Sequence, residues 1–309
     1  MPPLRLELSS RNPRLCTVEF LTDGGIKFII AYDFRSVAMF GNLRSRLIAA
    51  RALFLRARQC NPYLTGKCDV WLGDIPECSC LAFCGNNPSH VLIPDPDFLS
   101  SRGYEQLREP AFQDALHEWN IRSAKVFWRG SITGNSDKHL ATNWRAIPRI
   151  AMCIRLRENE LFDVALTGEP HQIHDASQAR EVLESGLIQS RVGYADFARH
   201  RALIDIDGNS SAWSGLMTKL LIRSTVIKVD SLFGYRQWYY DRLIPWKNFI
   251  PATDDFENLP AIAEWIRAHP IRAREIADEG FSLASSITFE SAVDEAAQRI
   301  IDYTRIVST

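Results

Sequence analysis

Between residues 124 and 285 apolar runs of strand length take turns with helical segments. Val126–Trp128, Leu161–Leu166, Ala202–Ile206 and Thr225–Val229 read as strands. Trp144–Arg157, Gly193–Arg199, the stretch that follows Gly208-Asn209-Ser210-Ser211 through Leu221, Leu259–Ala268 and Ile271–Leu283 read as helices. Strands separated by helices are too far apart along the chain to pair as hairpins, so they build a parallel, doubly wound sheet of the α/β class.

The chain before residue 124 is more mixed. Leu15–Phe20 and Ile26–Tyr32 flank Asp23-Gly24-Gly25, a hairpin signal. Leu43–Arg58 is helical, Asp69–Leu72 a short strand and Tyr104–Trp119 a helix, and Phe289–Tyr303 closes the chain as another. With 309 residues the chain suits two lobes. The expected division is residues 1–123 and 124–287, with 288–309 packing back on the first lobe.

Composition excludes several classes. A net charge of -1 gives no steering toward nucleic acid, so any anion site must be built locally. The first residues lack a cationic start followed by an apolar core, and no run is long enough to span a bilayer, so a cytoplasmic protein is expected. Five of the seven cysteines, Cys60, Cys68, Cys78, Cys80 and Cys84, crowd together at irregular spacing; reduced thiols fit this better than a zinc site. The helix 43–58 carries Arg44, Arg46, Arg51, Arg56 and Arg58 with no acid. It reads either as a solvated face or as a face for an anionic membrane.

In open α/β sheets ligands bind at the carboxyl ends of strands. Two segments there have unusual chemistry. Arg129-Gly130-Ser131 follows an apolar strand; glycine lets backbone approach an anion, and arginine can grip phosphate oxygens in pairs. Asp205 through Ser214 follows another strand and precedes a helix, whose first N–H groups can hold a phosphate; Ser210 and Ser211 could equally be plain helix caps. Asp205 and Asp207 read as a metal pair or as hydrogen-bond acceptors for neighbouring loops. In the first lobe, Pro76 stiffens the corner Gly73-Asp74-Ile75-Pro76, where Asp74 is a turn former or a proton acceptor. Neither a Walker loop nor the G-x-G-x-x-G fingerprint is present, which argues against an NAD-dependent enzyme.

The ordered set "FWRGSITG", "NWRAIPR", "LIDIDGNSSAWSGLMTKLL", "VIKVDS", "QWYYDRLIPWKNFIPA" and "IADEGFSLA" resembles glycosyltransferase family 90, over roughly residues 65 to 305. That family includes capsule-associated glycosyltransferases and Rumi-type protein O-glucosyltransferases. The resemblance implies a GT-B-like fold of two facing Rossmann-like lobes. It also implies transfer of glucose or xylose from a UDP-sugar, with inversion and without an obligatory metal or other cofactor. Asp74 falls on the catalytic base. Arg129, Gly130, Ser131 and Arg145 fall on donor contacts, and so does the loop of Gly208, Asn209, Ser210, Ser211, Trp213 and Ser214.

Some relatives carry an arginine where Ser214 stands, and an acid where Gln237 stands. Lys219 and Lys228 are the candidates to compensate for the arginine, or else a solvated helix residue and a strand-end charge. The missing secretory features point to a bacterial-type enzyme acting on lipopolysaccharide, capsule or another glycan. A protein acceptor and a nucleotide-sugar-binding protein without activity are the alternatives.

Overall fold

The computed structural model describes residues 2–10, 12–31, 37–134 and 143–307, with the backbone alone for 37–40. Contacts divide the chain into two α/β units. The first comprises Met1–Glu105, Tyr235–Tyr240 and Ile287–Thr309, the second Gln106–Gly234 and Asp241–Ser286. The division lies upstream of the expected boundary at 123/124, because the segment 106–122 is tied to the second unit. Gln113 Nε2 donates to the Leu221 carbonyl (3.1 Å), and Arg122 donates to Ile222 and Arg223.

The first unit is built on a six-stranded mixed sheet, ordered β1-β3-β2-β4-β5-β6. Its strands are β1 (Leu4–Ser9), β2 (Leu15–Phe20), β3 (Ile26–Ala31), β4 (Gly66–Trp71), β5 (Cys80–Ala82) and β6 (His90–Leu92). β2 and β3 form the expected hairpin; Tyr32 lies outside the described residues. Gly24 takes φ 84° in its turn, a conformation that favours glycine, and Asp23 Oδ1 accepts from the Gly25 N–H at 2.9 Å. The cross-strand pair Glu19–Lys27 closes at 2.7 Å.

The helix Val37–Cys60 buries Ala50, Leu53, Phe54 and Ala57, with Phe54 edge-on to Phe28. Its arginines do not form one solvated or membrane-facing stripe. Arg46 bonds Leu72 and Asp74, Arg56 pairs with Asp294, and buried Arg58 donates to the carbonyls of Pro62, Leu21 and Gly25. A buried guanidinium collects carbonyls because it cannot leave its donors unmet. The helix Phe289–Val307 packs in the same unit: Arg299 donates to the Leu92 carbonyl and Tyr303 to that of Ser79.

The second unit has an all-parallel six-stranded sheet, as the alternation requires, ordered β12-β11-β10-β7-β8-β9. The strands are β7 (Ser123–Ser131), β8 (Phe162–Thr167), β9 (Ile188–Gln189), β10 (His200–Asp205), β11 (Thr225–Val229) and β12 (Ile250–Ala252). A large core includes Val126, Trp128, Ile150, Ile204, Ile227 and Ile276. The helix expected over Tyr104–Trp119 is instead broken into Glu105–Arg108, Pro110–Asp114 and a 3₁₀ turn at Trp119–Ile121. Pro110 has no N–H to continue a helix, so it starts a new one.

Candidate functional site

The strand order makes β7 and β10 neighbours, yet the chain leaves β7 toward β8 and β9 before crossing back to β10. Loops leaving these two strands depart to opposite sides, which opens a crevice at their carboxyl ends. Arg129, Gly130 and Ser131 stand there, but as the last residues of β7 rather than a loop after it. They pair in register with Ala165, Leu166 and Thr167. Gly130 is needed for packing as well as for approach: a Cβ on it would come within 2.4 Å of the Trp128 indole.

Arg129 lines the crevice cavity beside Gly130 and Ser131 and is also tied to its neighbours. Its Nη1 donates to the carbonyls of Trp128 and Asp163, and its Nη2 to Asp163 Oδ1 and Gln189 Oε1, both at 2.6 Å. The guanidinium lies 4.6 Å from the Phe127 ring centroid, and Arg129 lines a second, open hollow with Gln189, Arg199 and His200. Four donated bonds fix it along the sheet.

The cation that laces the crevice is Arg149, which sequence reasoning passed over in favour of Arg145. Arg149 Nε donates to the Asp207 carbonyl (2.8 Å), Nη1 to Ser131 and to Thr133 Oγ1 (2.8 Å), and Nη2 to the Ile206 carbonyl. It thereby ties the loop after β7 to the loop after β10. A signal existed: Arg149 sits in the first turn of the helix Pro148–Leu156, the end where a positive charge opposes the dipole and needs another reason. Arg145 lies on a 3₁₀ turn at the surface, 56% exposed, paired with Glu181 at 3.1 Å and stacked over Trp144.

A second tie crosses the crevice where the Gly134 N–H donates to Asn209 Oδ1 at 3.0 Å. Gly208 allows the loops to touch, since a Cβ there would lie 2.9 Å from Thr133 Oγ1. Ser210 and Ser211 are buried, and neither caps the following helix, which starts only at Ser214. Trp213 precedes it at φ 43° and ψ −108°, a conformation rarely held by a non-glycine residue, and donates from Nε1 to Ser210 Oγ. Strain of this kind collects at functional loops. Gly130, Ser131, Ser214, Gly215, Thr218 and Lys219 line a cavity of about 240 Å³ between strand ends and helix.

Beneath the loop lies a buried charge cluster. Asp205 is fully buried and meets Lys219 Nζ at 2.7 Å and Lys228 Nζ at 3.9 Å. Lys219 is therefore not a solvated helix residue. Burial pushes the Asp205 carboxyl up, but the ammonium groups of Lys219 and Lys228 outweigh it and hold it below its ordinary range. Burial dominates at Asp207 and raises it to about 6. The ammonium group of Lys228 acts on both aspartates, and that of Lys219 on Asp205. Among the described residues no three His, Cys, Asp or Glu side chains gather to hold a metal.

Asp74 belongs to the first unit, at the corner after β4. Arg46 Nη2 holds its Oδ1 at 2.8 Å, and Arg46 Nη1 holds the Leu72 carbonyl at 2.7 Å, which orients the corner. Gly73 is close-packed as Gly130 is, since a Cβ there would lie 2.7 Å from Trp71 Nε1. Cys68, Cys80 and Cys84 are buried, Cys78 half-buried and Cys60 exposed, all as thiols. No helix among the described residues is long and apolar enough to cross a membrane.

A parallel doubly wound sheet with glycines and serines at its switch point has the plan of an α/β nucleotide-binding unit. The chain belongs to glycosyl transferase family 90, whose family model matches residues 80–307. It is 24% identical over 173 residues to uncharacterized protein 035R of Invertebrate iridescent virus 3, covering 54% of this chain and 15% of that protein. It is 27% identical over 209 residues to protein O-glucosyltransferase 2 of Danio rerio, covering 66% and 38%. The chain thus spans well under half the length of either relative. Among solved structures it is similar to Anabaena HepE in complex with UDP-glucose, with a TM-score of 0.40 and 10% identity over 58% of this chain and 49% of that one. The sucrose-phosphate synthase of Thermosynechococcus elongatus gives a TM-score of 0.38 and 14% identity over 70% and 50%.

Proposed function

We propose that the protein is a UDP-sugar-dependent glycosyltransferase that moves glucose or xylose onto a hydroxyl group with inversion. The observation that carries this reading is the crevice between β7 and β10 in a chain of family 90. Gly130, Ser131, Gly208 and the start of the helix at Ser214 offer backbone to a diphosphate there. As the bond from C1 to the UDP oxygen breaks, negative charge grows on UDP, and stabilising such charge is commonly the largest catalytic contribution. That role is assigned to the helix start, to Arg145 and to the buried ammonium of Lys219, with Arg149 holding the loops, rather than to a resident metal. Arg129 positions the strand end through Asp163 and Gln189.

Asp74 is assigned the base. It takes the acceptor's hydroxyl proton as that oxygen attacks C1 from the face opposite UDP. A glycan, lipopolysaccharide or capsule hydroxyl in the cytoplasm is the first acceptor to test, and seven cysteines outside any disulfide suit that compartment. A protein hydroxyl is the second, favoured by relatives named protein O-glucosyltransferases, a name that also puts UDP-glucose first among donors.

Thermal-shift titration with UDP, UDP-glucose, UDP-xylose and GDP-mannose tests the donor, since a ligand of the folded state raises its stability. UDP compounds should bind and GDP-mannose should not. Asp74→Asn should abolish transfer and leave UDP affinity unchanged; retained turnover would remove Asp74 from the reaction. UDP binding without transfer to any acceptor would favour a nucleotide-sugar-binding protein.

A further inference from the structure

Arg46, on the helix Val37–Cys60, takes no direct part in the proposed chemistry, yet its guanidinium bridges the corner that carries Asp74. Nη1 donates to the Leu72 carbonyl at 2.7 Å, and Nη2 to Asp74 Oδ1 at 2.8 Å. One planar group thus joins the residues on either side of Gly73.

The carbonyl end of this brace is anchored. Leu72 is fully buried, and its N–H donates to the Arg14 carbonyl at 2.7 Å, so it is held from two directions. Gly73 is packed too tightly for a side chain: a Cβ there would lie 2.7 Å from Trp71 Nε1 and 3.1 Å from Arg14 Cδ. On the far side of Asp74, the Pro76 ring fixes its own φ and restricts Ile75.

With the backbone stiff on both sides, the freedom left in the corner is the rotation of the Asp74 side chain. That side chain is 31% exposed against 18% for Arg46, so the acid is the more open partner, the one a substrate can reach. Ion pairs with this much solvent contact add little to stability. Direction is the larger effect of the contact.

We propose that Arg46 is a positioning residue for transfer, which links Asp74 to the anchored Leu72 carbonyl and sets the direction in which the carboxylate meets the acceptor's hydroxyl. The inference rests on Asp74 being the base. A base must stand within hydrogen-bond reach of the proton it takes, and a displacement of about 1 Å can cost on the order of 100-fold in rate. Arginine suits the task because its donors keep a fixed angle, whereas a lysine ammonium is a single point on a flexible stem. The hydroxyl proton passes to Asp74, and Arg46 keeps all of its own.

The test uses the whole chain with UDP-glucose and UDP-xylose and reads UDP release, with water as the acceptor. The water oxygen bonds to C1, its proton passes to Asp74, and the bond from C1 to UDP breaks. Arg46→Met should lower kcat by about 10–100-fold and leave the donor KM and the UDP affinity as in the parent. Arg46→Lys, which serves one acceptor at a time, should fall between the two. Denaturant melts of each variant separate a loss of folding from a loss of rate. Should Arg46→Met not fold, Arg46→Lys decides alone, with kcat lowered several-fold at unchanged KM. Parent kcat in either variant, or a loss confined to KM or to stability, overturns the proposal. Asp74→Asn separates that failure from a failure of the reading beneath it. If Asp74→Asn keeps the parent rate, Asp74 is not the base and the role of Arg46 falls with it. If Asp74→Asn is inactive while Arg46→Met turns over normally, the brace alone falls. A parent chain that releases UDP from neither sugar nucleotide ends both.

Discussion

Gly130 and Gly73 each stand two residues after a tryptophan near the end of a strand, and each leaves room for that indole. Adding one methyl group at Gly130 drives it into the Trp128 ring, where overpacking costs about 1–3 kcal/mol. Gly130→Ala should lower stability by that amount in urea melts, and lower UDP affinity as well because Ser131 moves. A second residue-scale effect belongs to Asp95, buried at 2% while its Oδ1 caps the helix Pro96–Ser100 through Asp97 N and Phe98 N. Burial raises its carboxyl to about 7. The folded state therefore binds this proton more tightly than the unfolded chain does. Its contribution is fully present below the ordinary carboxylate range and is lost as pH rises through about 7. Asparagine caps equally well and never ionises. Asp95→Asn should match the parent at pH 4 and exceed it by about 2–4 kcal/mol at pH 8, as measured by denaturant melts at both values. Among site residues, the small ones were legible, because a glycine or serine at a strand end has few other purposes. The direction of Arg129 was not, since Asp163 and Gln189, which capture it, come from strands whose neighbours the local sequence does not specify.

At the scale of elements, the helix Ser214–Leu221 is held at both ends by charge. Lys219 reaches down to Asp205 at the end of β10, and Arg122 caps the carbonyls of Ile222 and Arg223. Gly215 sits directly over the ion pair, where a Cβ would lie 3.0 Å from Asp205 Oδ1 and 3.2 Å from Lys219 Nζ. Lys219→Met leaves Asp205 with the more distant Lys228, at a cost of about 3–5 kcal/mol, the range for breaking a buried pair. A double-mutant cycle with Asp205→Leu, read by chemical denaturation, should give a coupling energy well above zero, and a coupling of zero would mean the pair adds nothing. The parallel strands β7, β8, β10 and β11 were readable because each is an apolar run between helical segments. β1, β5, β6, β9 and β12 were not, being short, exposed or polar, and owing their strand form to a neighbour's unmet hydrogen bonds. The burial of Lys219 was not legible for a related reason. In the sequence it is an ordinary helix lysine, and only the crossing of β10 beneath it supplies the aspartate.

Across the whole molecule, the first unit is discontinuous in sequence. Its sheet and the helix Val37–Cys60 come from the beginning of the chain, and the helix Phe289–Val307 from the end. That last helix buries Ala292, Ala296, Ala297, Ile300 and Ile301, and Arg56 pairs with Asp294 at 2.5 Å. Deleting residues 289–307 exposes the facing apolar surface and removes the partners of Leu92 and Ser79. Hydrogen exchange should then rise throughout β1–β6 while β7, β8, β10 and β11 keep their protection; uniform loss in both units would contradict the division.

During synthesis this arrangement inverts the order of completion. Every residue of the second unit has left the ribosome before Ile287 appears, so that unit can close while the first, although translated earlier, still lacks its final helix. The nascent first unit must wait with an open apolar flank for the length of one whole domain, an interval in which a chaperone has something to hold.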